Sequence, residues 1–101
     1  MTMSQDQWWL ATAGGTLIWA RLRVLEAGTA EVLDCDGATL PYDSEDSARA
    51  ALMDAEFVSL EGLDADDADT RGFDLDALTP PRGTSDDALR PQMIVKLPRR
   101  Q

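Results

Sequence analysis

Three glycine-bearing breaks, Gly14-Gly15, Glu26-Ala27-Gly28 and Asp36-Gly37, divide the first forty residues into short segments rich in aromatic and branched apolar residues. Segments of that length and composition read as strands, and the breaks between them read as hairpin turns. Gln7 to Ala13 is the first strand. Gly14-Gly15 tolerates positive φ at both positions, so Thr16 to Glu26 folds back antiparallel and Leu10 pairs with Trp19. In Glu26-Ala27-Gly28 the glycine sits where a three-residue hairpin loop needs its left-handed residue, which sets Arg23 opposite Glu31. Asp36-Gly37 is read as a two-residue loop that pairs Thr29 to Cys35 with Ala38 to Tyr42.

These registers sort the side chains, because alternate strand residues point to opposite faces. One face collects Trp9, Ala11, Ile18, Ala20, Leu22, Val24, Ala30 and Val32. The other collects Trp8, Leu10, Leu17, Trp19, Leu33, Cys35 and Leu40, interrupted by Arg21 and Arg23. Both faces are apolar, so both require a cover, from later segments or from another molecule. Asp43-Ser44-Glu45-Asp46 starts a helix: an oxygen-bearing cap followed by acids that suit the positive end of the helix dipole. Its stripe of Ala48, Ala51, Leu52 and Ala55 lies on one side and lets the helix sit close to the sheet.

Phe57 to Leu60 reads as an exit into extended chain. Asp64 caps a second short helix through Arg71, with Gly72 just past its end. Phe73, Leu75 and Leu78, before Pro80-Pro81, are the candidates to cover the second face. Arg82 to Arg90 reads as an exposed loop, Met93 to Leu97 as a late strand, and 98–101 as a frayed tail. The expected architecture is α+β: an antiparallel β-meander of about four strands packed on one main α-helix, with short C-terminal helical turns and a late strand, in one small domain spanning 1–101.

The chain has 101 residues with a formal net charge of −10, and it contains one cysteine and no histidine. Without histidine there is no imidazole base for Ser-His-Asp or Cys-His catalysis and no common zinc site. No catalytic residue, metal ligand or cofactor-binding residue is therefore assigned. The negative charge opposes nucleic acid and anionic lipid, and no apolar run approaches the length of a bilayer span. With neither a secretory start nor a second cysteine for an internal disulfide, the expected location is the cytoplasm.

Between Asp43 and Asp87 fourteen acids stand against Arg49, Arg71 and Arg82, so most of the negative charge lies in this middle segment. That polarity suits a basic protein partner, since complementary potentials steer encounter and select partners. The candidate interaction surface comprises Asp43, Glu45, Asp46, Asp54, Glu56, Asp64, Asp66, Asp67 and Asp69, with Trp8 and Trp19 as aromatic anchors if the second face stays open. Calcium does not fit the acids: counted from Asp67, Arg71 falls where a ligand belongs and Leu78 where the bidentate acid belongs. Cys35 lies between Asp34 and Asp36, whose charges disfavour a thiolate.

The run from Asp36-Gly37 through Tyr42, Ser44, Glu45, Ala48 and Ala51 resembles the three-strand-plus-helix units of AP2-type and integrase arm-binding domains, which read DNA with the sheet. Arg21 and Arg23 are too few cations for that use beside so many acids, and no family is claimed. The expected function is non-catalytic: an acidic interaction module of the antitoxin-like, immunity-like or DNA-mimic inhibitor kind. A homo-oligomeric structural protein, such as a homodimer closed over Trp8 and Trp19, and a carboxylate-based enzyme or accessory subunit are the alternatives.

Overall fold

The computed structural model describes residues 5–70, 73, 78–83 and 85–96. Strands β1 (Gln5–Ala13) and β2 (Thr16–Val24) form a hairpin in which Leu10 pairs with Trp19, as the turn predicts. Gly14 and Gly15 both take positive φ, 57° and 83°. Strand β3 (Ala30–Leu33) follows the three-residue loop, with Gly28 at φ 86° and Arg23 opposite Glu31. Strand β4 (Thr39–Tyr42) completes the meander. Strand β5 (Val58–Ser59) adds antiparallel to β1, and β6 (Ile94–Lys96) adds antiparallel to the first residues of β2. The sheet order is β4-β3-β2-β1-β5, with β6 beside β2.

The third turn departs from expectation by one residue. Asp34 accepts hydrogen bonds at its Oδ1 from the backbone N–H groups of Asp36 and Ala38, at 2.9 and 3.1 Å. The loop is therefore the three residues Cys35-Asp36-Gly37, closed by Asp34 N–H donating to the Ala38 carbonyl at 3.0 Å. A shift of one residue turns every β4 side chain to the opposite face. Leu40 now pairs with Val32 and Tyr42 with Ala30, on the first face rather than the second. Tyr42 joins the first-face core, while Leu40 stays 48% exposed.

Helix α1 (Glu45–Asp54) begins at Ser44, whose Oγ accepts from the Ser47 N–H, and seats Ala48 and Leu52 on the first face with Trp9, Ala20, Leu22, Ala30 and Val32. It ends with Glu56 N–H donating to the Met53 carbonyl and Phe57 N–H to the Leu52 carbonyl, both at 2.9 Å. This paired closure puts Glu56 at φ 68°, a position where glycine is usual. Ala55, expected on the buried stripe, caps the helix and is exposed. Beyond α1 the first face is incompletely covered: Ala11 and Ile18 are half-buried, and Met53 and Ile94 are more than half exposed.

The second face is closed by the chain itself. A 3-10 turn at Leu60–Gly62 leads to α2 (Ala65–Thr70), where the Asp64 carboxylate accepts from the Asp67 N–H at 2.8 Å. Arg71, Gly72, Leu75 and the 98–101 tail lie outside the described residues. The stretch expected to be a loop, Arg82 to Arg90, contains α3 (Asp86–Leu89), capped by Ser85 and followed by a 3-10 turn at Arg90–Gln92. Ala68, Phe73, Leu89 and Met93 pack on Leu10, Leu17, Trp19 and Leu33. Each fully buried leucine of this core contributes roughly 1.5–3 kcal/mol by leaving water.

Candidate functional site

The predicted acids fall into two groups on opposite faces of the sheet. Asp43, Glu45, Asp46, Asp54 and Glu56 belong to α1 and its flanks, over the first face. Asp64, Asp66, Asp67 and Asp69 belong to α2, whose Ala68 is buried against the second. The chain that joins them runs round the β5 edge, where Glu61 is exposed. The acids thus form a belt rather than one flat patch.

Within the belt, two acids have local structural work. Glu45 accepts from Gln7 Nε2 at 2.7 Å and pairs with Arg49 at 3.5 Å, while the Arg49 guanidinium sits 5.3 Å from the Trp9 ring centroid. Asp64 caps α2. Asp54 and Glu56 do the opposite: they add negative charge at the carbonyl end of α1, which has no basic residue in its last turn, and so oppose the helix dipole. Asp43, Asp46, Asp54, Glu56, Asp66 and Asp67 are exposed and have no ion-pair partner among the described residues. Glu56 and Thr12 line an open groove of about 650 Å³ together with Ala11, Ile18, Phe57 and Met53.

The tryptophans are placed differently from the acids. Trp19 is 1% exposed, so it is a core residue with no surface to offer a partner. Trp8 is half-buried and meets Trp19 edge-on, with centroids 5.9 Å apart and planes at 86°. That arrangement follows from the closure of the second face by α2, Phe73, α3 and Met93. Cys35 is half-buried, and burial, followed by the charges of Asp36 and Asp34, pushes its thiol above the ordinary value. Its nucleophilicity is suppressed accordingly. Among the described residues no group of three or more carboxylates or thiols is arranged to hold a metal ion, and no helix is long and apolar enough to cross a membrane.

A second polar constellation gathers around Arg21, which is 2% exposed and donates from Nη1 to Asp86 Oδ1 at 2.9 Å. Arg23 forks onto Asp6 at 2.9 and 3.3 Å, and this hydrogen bond is the main cause of a pKa raised further above the ordinary guanidinium value. The sequence carries one signal for this cluster: two arginines at alternate positions on an otherwise apolar strand face. An inward cation requires a carboxylate, and α3, in a stretch whose composition predicts a loop, supplies it. No family model, curated protein or solved structure matches this chain.

Proposed function

We propose that this protein is a non-catalytic interaction module that binds a basic protein partner, in the manner of an antitoxin-like, immunity-like or DNA-mimic inhibitor, in the cytoplasm. What carries the reading is Asp54 and Glu56: two exposed acids at the helix end where they work against α1, without an ion-pair partner among the described residues, the second of them lining a mixed polar and apolar groove. Charge kept at a position that disfavours the fold is accounted for by a role outside it. A basic partner that places an apolar residue in the groove and cations against Asp54 and Glu56 matches both features. The exposed acids Asp43, Asp46, Asp66 and Asp67 extend the attractive field and speed encounter.

The test is capture of partners from native lysate at low and moderate salt, using the wild type and two charge reversals, Asp54→Lys/Glu56→Lys and Asp66→Lys/Asp67→Lys. The reading expects one salt-sensitive basic protein that the first variant loses and the second binds more slowly. Identical capture by all three proteins would refute it.

A further inference from the structure

Arg21 and Arg23 stand two residues apart on β2, so both side chains leave the strand on the side of Trp8. A cleft of about 280 Å³ opens there, between these strand residues and the segment that carries Arg82 and Asp86. Its three arginines outnumber its two acids, Asp6 and Asp86, and both acids already hold an arginine. Arg82 is fixed through its backbone, with its N–H donating to Gln92 Oε1 at 3.0 Å and its carbonyl accepting from Gln92 Nε2 at 2.7 Å. Its side chain is exposed and has no ion-pair partner among the described residues. Glu31, opposite Arg23 on β3, adds a third carboxylate just outside the cleft, so cations and acids are balanced here in a chain of net charge −10.

Arg21 makes this arginine lining chemically specific. A guanidinium has five N–H donors, and among the described residues Arg21 uses one, on an Asp86 whose side chain is 51% exposed. Its Nε is buried with no partner among the described residues. A buried cation satisfied this incompletely carries a large desolvation penalty, which a second anion would offset. Phosphate fits best: it presents several acceptor oxygens to forked guanidinium donors, and its charge exceeds what a single carboxylate supplies. The cleft is just below the size of typical small-molecule sites, which suits a phosphate group with a small organic body lying toward Trp8.

We propose that the cleft formed by Arg21, Arg23 and Arg82 is a binding site for the phosphate group of a small molecule. The site is separate from the acidic belt, so Asp54→Lys/Glu56→Lys leaves it intact whether or not that belt binds a partner.

The experiment titrates the full chain with inorganic phosphate at constant ionic strength, following backbone amide shifts by NMR and the Trp8 indole N–H. Saturable shifts confined to Arg21, Arg23, Arg82, Gly83, Ser85 and Trp8 are expected. Arg82→Ala, at an exposed position, keeps the fold and weakens phosphate binding roughly tenfold. Arg90→Ala, outside the cleft, leaves binding unchanged. Non-saturating shifts, or equal losses in Arg82→Ala and Arg90→Ala, would overturn the site. Acetate binding as tightly as phosphate would overturn the choice of ligand.

Discussion

Glu56 is a residue the fold holds at a disadvantage. A side chain at φ 68° meets its own backbone, and a carboxylate there also faces the negative end of α1. Glu56→Gly is therefore expected to raise stability by about 0.5–1 kcal/mol, after allowing for the entropy that glycine adds to the unfolded chain. The check is an upward move of the urea midpoint at unchanged slope, with Glu56→Ala, which relieves only the charge, gaining less. Cys35 supplies a pH dependence. Its thiol is held above the ordinary value by burial and by Asp36 and Asp34, so the folded chain keeps a proton that the unfolded chain releases first. This contribution is complete below the ordinary thiol value and is lost as pH rises through the raised one. Cys35→Ala should flatten the fall in stability across that alkaline window, measured by urea titration at stepped pH. An unchanged slope would mean that other groups govern it.

At the scale of elements, the closure of the second face rests on short pieces that cannot stand alone. Leu89 anchors α3 against Leu17 and Trp19 in that core, so Leu89→Ala is expected to cost about 2–5 kcal/mol in denaturant unfolding. Ile94→Thr, at a position 54% exposed, should stay within about 0.5 kcal/mol. The difference between the two separates a docked α3 from a loosely attached one. The elements that were legible in the sequence are those with their own chemistry. Gly14-Gly15 and Gly28 set their hairpins, Ser44 with its following acids set α1, and Asp64 set α2. The third hairpin misled because Asp36-Gly37 suits a two-residue turn, whereas the Asp34 carboxylate selects the longer loop by taking two backbone N–H groups. Helix α3 was hidden because its Ser85-Asp86-Asp87 cap sits in a glycine- and aspartate-rich stretch with a single apolar residue, Leu89, to bury. The acids of the candidate surface were legible as a list but not as a shape, since nothing local says that α1 and α2 take opposite faces. The arginine cleft depends on α3 and was invisible with it.

For the whole molecule, a net charge of −10 on 101 residues means that the folded state carries appreciable self-repulsion. Screening acts over about 8–10 Å near physiological salt and weakens repulsion between like charges. Added sodium chloride is thus expected to raise the thermal midpoint by a few degrees from near-zero to physiological ionic strength, read by circular dichroism. A fall would show that the Arg21–Asp86 and Arg23–Asp6 pairs outweigh the repulsion. The pairing of β2 sets a further condition, this time on biosynthesis. Its residues Thr16 to Ile18 find their second neighbour in Ile94 to Lys96, far along the chain. Until that stretch has left the ribosome, the β1–β2 hairpin exposes an unpaired edge together with the uncovered side chains of Leu17 and Trp19, a surface that invites pairing with other nascent chains. Slow translation before Met93 should therefore increase aggregation of this protein in cells, and a stronger charge beside that edge should reduce it.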